Sequence, residues 1–326
     1  MSRIAVVLLN LGGPGDQAEV RPFLFSMFRD RAILRLPQPF RVMLAWWIAK
    51  KRAPVAREIY RALGGGSPIR EETEAQATAL EKELGEGYKV FIAMRYTAPR
   101  AAATARDVRA YAPQRLILLP LYPQFSTATT ASSLREWKEM ALGIPAAIVC
   151  CYPNQKEFIA AHVALLREAL ALAPGARVLF SAHGLPRRIA ENGDPYVSQI
   201  KQSVEAIAAV MGADMPEHVI CYQSRVGRLE WTGPATEAEI ARAGKQGKSL
   251  IVVPVSFVSE HAETLVELDR DYADLAKRCG VPRYIRVRAL GTHPLFIAGL
   301  AALCRQAAAS PACTLLKPCI NGAACY

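Results

Sequence analysis

The chain has 326 residues, of which 52% are hydrophobic, and a formal net charge of +11. That is ample material for two domains or one large α/β unit, and it excludes a disordered or fibrous chain. The basic balance points toward nucleic acid, anionic lipid or an acidic small molecule. No basic motif interleaved with aromatics and no zinc-finger spacing occurs, so nucleic acid is set aside.

The first apolar run, Ile4-Ala5-Val6-Val7-Leu8-Leu9, is too short for a signal peptide and lacks a small-residue cleavage site. It leads into Asn10-Leu11-Gly12-Gly13-Pro14-Gly15 and reads as a strand followed by a loop. No segment is apolar and long enough to span a bilayer, so a cytoplasmic protein is expected. Next comes Val42-Met43-Leu44-Ala45-Trp46-Trp47-Ile48, followed by Lys50, Lys51, Arg52 and Arg57. Tryptophan beside lysine and arginine is how a surface touches a membrane, and peripheral association is expected.

Strand-like runs follow at 90–94, 116–121, 147–151, 178–181, 219–222, 250–257 and 285–290. Several are nearly continuous in Val, Ile and Leu, as in parallel strands covered on both faces. Amphipathic stretches such as 71–84 and 195–211 separate them. The alternation predicts an α/β fold of doubly wound sheets.

With the first run the strands divide four and four. The third run of each half is similar, Leu116-Ile117-Leu118-Leu119-Pro120 against Leu250-Ile251-Val252-Val253-Pro254. Two related Rossmann-like domains with a cleft between them are therefore expected, each with a parallel four-stranded sheet. They are assigned to residues 1–165 and 166–303, with a cysteine-rich extension over 304–326. Ligands in such folds bind at the carboxyl ends of strands. That directs attention to loops 10–15, 95–99, 122–130, 182–186, 223–227 and 256–263.

Neither glycine cluster, Asn10-Leu11-Gly12-Gly13-Pro14-Gly15 nor Gly64-Gly65-Gly66-Ser67-Pro68, matches a dinucleotide or phosphate-loop fingerprint. Two other segments carry chemistry. His183 stands just past a buried strand in Ser181-Ala182-His183-Gly184-Leu185-Pro186, placed to accept a proton or bind a borderline metal. After the last strongly apolar strand, Glu260, Glu263, Glu267 and Asp271 recur at helical spacing, with His261 among them. Such a row is commonly a solvated face. At a strand end it can also attract a dication or move protons.

These residues, with their neighbours, resemble the ferrochelatase family along nearly the whole chain. The matching strings are Leu9-Asn10-Leu11-Gly12-Gly13-Pro14, Gly64-Gly65-Gly66-Ser67-Pro68-Ile69, Arg95-Tyr96, Tyr122-Pro123-Gln124-Phe125-Ser126, Phe180-Ser181-Ala182-His183-Gly184-Leu185-Pro186, Gln223-Ser224-Arg225-Val226-Gly227, Trp231-Thr232-Gly233-Pro234 and Ser259-Glu260-His261-Ala262-Glu263-Thr264-Leu265. The resemblance implies two Rossmann-like domains around a porphyrin, and insertion of Fe2+ as substrate. It implies catalytic roles for His183 and Glu263 and metal handling by His183, Glu263, His261 and Glu267. It further implies substrate contacts at Leu11, Arg95, Tyr96 and Trp231, with 42–52 as a membrane-facing lip, and allows for a homodimer. Protoporphyrin is the expected substrate. Coproporphyrin, a cobalt chelatase on a related ring, and a porphyrin or haem carrier without catalysis are the alternatives.

Of eight cysteines, Cys150, Cys151, Cys221, Cys279 and Cys304 fall mostly among apolar neighbours, where the thiol is a small core group. Cys313, Cys319 and Cys325 crowd the C-terminus. Many ferrochelatases hold a [2Fe–2S] cluster on three such cysteines and one interior ligand, here Cys151 or its neighbour Cys150. The interior position used by the animal enzymes is Phe158 here, and the tail spacing departs from theirs. Zinc also accepts four thiolates.

Overall fold

The computed structural model describes residues 3–309, except Val226 and Arg228. It forms two compact units. The first runs up to Tyr122 and takes in Ser126–Cys151 and the chain from Leu300 on; the second comprises Pro123–Phe125 and Tyr152–Gly299. The changeover therefore lies at Cys151, earlier than the boundary of 165 read from the sequence. Residues 304–309 belong to the last helix rather than to a separate extension.

In the first unit the chain forms β1 (Ile4–Asn10), α1 (Val20–Phe28), α2 (Gln38–Ala62), α3 (Ile69–Leu84), β2 (Tyr88–Met94), α4 (Ala101–Tyr111), β3 (Arg115–Pro120), α5 (Thr130–Lys138) and β4 (Ala146–Ile148). The strands make one parallel sheet in the order β2-β1-β3-β4. Ala5, Val7, Leu9, Leu116 and Leu118 pack on Val108, Leu134 and Trp137 from the covering helices. Val6, Leu8, Ile117 and Leu119 on the opposite face are buried as well, and this two-sided burial is why those strands read as unbroken apolar runs.

The second unit repeats the plan. It contains α6 (Lys156–Leu172), β5 (Arg177–His183), α7 (Arg187–Glu191), α8 (Tyr196–Met211), β6 (His218–Gln223), α9 (Thr236–Lys245), β7 (Leu250–Pro254), a π-helix (Glu263–Asp271), α10 (Tyr272–Arg278), β8 (Tyr284–Arg286) and the start of α11 (Pro294–Ala309). Its parallel sheet has the order β6-β5-β7-β8. Leu179, Cys221, Leu250 and Val252 pack on Ile240, Leu268, Tyr272 and Ala276. The strands predicted at 250–257 and 285–290 end early, at Pro254 and Arg286. After β7 the chain closes a turn, with the Phe257 N–H donating to the Pro254 carbonyl at 3.2 Å.

In each sheet the chain winds one way from the first strand and the other way from its neighbour, so a switch point lies between β1 and β3 and another between β5 and β7. Open α/β sheets bind ligands outside the strand ends at such points.

The glycine loops of the first unit lock onto each other. Gly12 sits at φ +82°, and a Cβ there would lie 2.3 Å from the Thr97 hydroxyl oxygen. A Cβ on Gly66 would lie 2.2 Å from the Gly15 carbonyl oxygen. Close approach explains Gly12 and Gly66, while Gly64 and Gly65 are placed by their positive φ of +89° and +115°. Helix α2 turns its small residues inward, burying Ala45, Ala49 and Ala53, and leaves Phe40, Met43, Trp46, Trp47 and Val55 exposed. Lys50 lies over the Trp46 ring and Lys51 over the Trp47 ring. Among the described residues no helix is long and apolar enough to cross a membrane.

Candidate active site

His183 is the last residue of β5, and the chain after β7 carries His261 in its loop and Glu263 at the start of the π-helix, so the two sides of the second switch point supply one group. Glu263 Oε1 lies 3.5 Å from His183 Nε2, and Glu263 Oε2 lies 3.3 Å from His261 Nε2. One carboxylate thus joins two imidazoles. Phe257 is wedged beside both rings, with its centroid 4.6 Å from that of His261 and 6.5 Å from that of His183.

Backbone carbonyls orient the rings. His183 Nδ1 faces the Gly184 carbonyl at 2.6 Å, and His261 Nδ1 faces the Ser259 carbonyl at 3.0 Å. A nitrogen facing a carbonyl carries the proton, which leaves Nε2 as the working atom of each ring. The His183 backbone N–H donates to the Ser256 hydroxyl at 3.3 Å, which ties the end of β5 to the turn after β7.

Loss of bulk water around His183 disfavours its charged form. The adjoining Glu263 carboxylate, with help from the Gly184 carbonyl and Glu267, more than reverses this and lifts its pKa to about 9. Burial would raise the Glu263 carboxyl, but His183 and His261 hold it well below the usual carboxylate range. His183 keeps 40% of its side chain accessible and Glu263 36%, so the pair faces open space while staying coupled.

The acidic row does not stay together. The π-helix, with its i→i+5 hydrogen bonding, sends the carboxylates in different directions. Glu260 is bound by Arg286 Nη1 at 2.6 Å and by the Ala289 N–H at 2.8 Å. Asp271 pairs with Arg270. Glu267 meets Gln223, Ser224 and Tyr272. Only Glu263 joins the histidines. Among the described residues no group of three or more His, Cys, Asp or Glu side chains forms a resident metal site.

Trp231 lies beside this centre. It pairs in an antiparallel bridge with Pro186, and a Cβ added to Gly184 would be 3.2 Å from its ring. Gly184, next to His183, is therefore small because the Trp231 loop folds onto it.

Leu11, Arg95 and Tyr96 come together in the first unit, at the ends of β1 and β2, where the Tyr96 N–H donates to the Leu11 carbonyl at 3.0 Å. Arg95 is not a free cation there. Its guanidinium meets Asp30 at 2.7 Å, Glu136 at 3.2 Å and the Ser132 hydroxyl at 2.8 Å. The Tyr96 hydroxyl donates to the same Asp30 at 2.9 Å, and Tyr96 is buried. Sequence reasoning missed Asp30, a single acid between Arg29 and Arg31, and Phe257, hidden in an apolar run. Its place just past the carboxyl end of β7 was the one signal for Phe257. Cys151 is buried three residues past the end of β4, and Cys313, Cys319 and Cys325 lie outside the described residues.

The ferrochelatase family model matches residues 3–308. A ferrochelatase of Caulobacter vibrioides is 49% identical over 97% of this chain and 94% of its own. Those of Phenylobacterium zucineum and Rickettsia bellii are 50% and 45% identical, each over 92% of this chain and over 90% and 86% of their own. Among solved structures, SirB from Bacillus subtilis with Fe3+ aligns at a TM-score of 0.56 and 14% identity, covering 94% of this chain and 96% of that one. CbiX, the terminal enzyme of sirohaem biosynthesis in denitrifying bacteria, aligns at 0.50 and 17% identity, over 94% and 99%. Those structures share the fold, whereas the family match spans both units, the positions of His183 and Glu263 included, and it places this chain in the ferrochelatase family.

Proposed function

We propose that the protein inserts Fe2+ into protoporphyrin IX to form protohaem, and that the Glu263 carboxylate held between His183 and His261 carries the reading. Insertion breaks both pyrrole N–H bonds. Each electron pair stays on nitrogen and passes to iron, the protons leave, and iron keeps its oxidation state. The site needs an anion to attract the dication and a group to take protons. Glu263 stays ionised and supplies the first. His183 rests as an imidazolium below about pH 9. Approach of the dication repels that proton and frees Nε2, so base strength appears at the moment the metal arrives. A carrier needs no such coupled acid and base.

Anaerobic incubation with Fe2+ and, separately, protoporphyrin IX and coproporphyrin III tests this by absorbance. Protohaem is expected to form catalytically, and faster than the coproporphyrin product. His183→Ala is expected to bind porphyrin as before and to lose about 10²- to 10⁴-fold in turnover. Tight binding without metallation by the wild type, or unchanged turnover in the variant, contradicts the reading.

The less polar porphyrin is preferred because α2 offers an apolar, basic face suited to a membrane surface. Phe40, Met43, Trp46 and Trp47 would enter the headgroup region and Lys50 and Lys51 would meet anionic lipid. Co-sedimentation with vesicles rich in anionic phospholipid is expected, and the double substitution Trp46→Ala with Trp47→Ala is expected to weaken it about tenfold or more. Equal binding by that variant speaks against this face.

A [2Fe–2S] cluster on Cys151, Cys313, Cys319 and Cys325 is part of the same proposal. What supports it is the donor chemistry: Cys151, three residues past β4, is a buried thiol, and four thiolates suit such a cluster. Purified protein is expected to show visible absorption and equal amounts of extra iron and acid-labile sulfide, all lost in Cys151→Ser. Zinc with no sulfide contradicts the assignment.

A further inference from the structure

Glu267 lies on the π-helix one turn after Glu263, and the sequence grouped it with the metal-handling carboxylates. Its surroundings give it different work. Oε1 accepts the Ser224 backbone N–H at 2.8 Å and the Tyr272 hydroxyl at 3.0 Å. Oε2 accepts the Gln223 side-chain amide at 3.1 Å and the Ser224 hydroxyl. A carboxylate has acceptor sites for about four donors, and this one has them filled.

The donors are themselves fixed. Gln223 is fully buried at the end of β6, and its amide oxygen accepts the Ser181 hydroxyl at 2.8 Å. Ser181 stands two residues before His183 on the paired strand β5. Ser224 takes φ +59°, a left-handed conformation that a residue with a Cβ rarely adopts. Both of its donors, backbone and side chain, close on Glu267, so the carboxylate holds this turn.

The turn begins the segment that returns to His183. The Gly184 N–H donates to the Gln223 carbonyl at 2.8 Å, the Thr232 N–H to the Leu185 carbonyl at 2.9 Å, and the Arg187 N–H to the Glu230 carbonyl at 2.8 Å. Trp231 is thereby laid against Gly184. Tilting Ser224 out of its conformation would shift the Trp231 wall beside His183.

We propose that Glu267 is a positioning residue and not an iron ligand: its carboxylate locks the left-handed turn at Ser224 and so sets Trp231 against the loop that carries His183. For its substrate this inference rests on the ferrochelatase reading above; for the anchoring itself it does not. Hydrogen exchange on the ligand-free protein measures the anchoring. In Glu267→Gln, peptides covering Ser224 and Trp231 exchange about tenfold faster or more, while the first unit is unchanged. Tyr272→Phe, which removes one donor and spares the carboxylate, gives a smaller rise in the same peptides.

Steady-state kinetics then separate positioning from metal delivery. Glu267→Gln raises the KM for porphyrin several-fold and leaves that for Fe2+ within about twofold of wild type. Ser224→Gly adopts the left-handed conformation unaided, and in the Glu267→Gln background it recovers part of the porphyrin KM. Unchanged exchange at Ser224 and Trp231 overturns the proposal. So does a rise in the KM for Fe2+ alone, or absence of any rescue by Ser224→Gly. A wild-type protein that does not metallate porphyrin defeats the ferrochelatase reading instead, and the exchange result still decides the anchor.

Discussion

A carboxylate placed between two imidazoles sets the charge of His183 beside it. Glu263 raises His183 from 6.5 to about 9, and the histidines in turn keep Glu263 ionised. The contributions to stability follow from those directions. The His183 share is full below pH 6.5 and is lost as pH rises through about 9. The Glu263 share is full above pH 4.5 and is lost as pH falls through its depressed value. The two overlap completely between 4.5 and 6.5. Above that window the pair stays charged in the folded protein up to about pH 9, while its contribution to stability declines.

The rest of the second unit keeps this contact in place. His183 is fixed by a strand buried along its length, and Glu263 by a π-helix whose wider hydrogen-bonding needs support. Arg286, at the end of β8, supplies it. Its guanidinium grips Glu260 just before the π-helix and Asp269 near its end, each at 2.6 Å. Asp269 and Glu260 thereby pin the segment to the sheet on one side, while Glu267 pins it to the end of β6 on the other. Carboxylates that looked like one row share a structural task, and Glu263 alone is left facing the histidines.

The sheets were legible because parallel strands buried on both faces carry unbroken Val, Ile and Leu, as in 4–9 and 250–253. The place of His183 was legible because it closes a buried apolar strand, which it does as the last residue of β5. The phase of the acidic helix was not, since a 3.6-residue period was assumed where the chain adopts a π-helix. Nor was the engagement of Arg95, because Asp30 lies 65 residues away in sequence and only the fold brings them to 2.7 Å. The changeover at Cys151 was missed because the apolar pattern of α6, from Lys156 to Leu172, follows it closely and drew the boundary into that helix.

The most direct measurement is the titration of the His183 ring by nitrogen NMR in the wild type and in Glu263→Gln. The account predicts a wild-type midpoint near 9. In the variant the carboxylate is gone and loss of bulk water is opposed only by the Gly184 carbonyl and Glu267, so the midpoint falls well below that of the wild type. A wild-type midpoint near 6.5 that the substitution leaves in place would contradict the coupling on which the proposed chemistry depends.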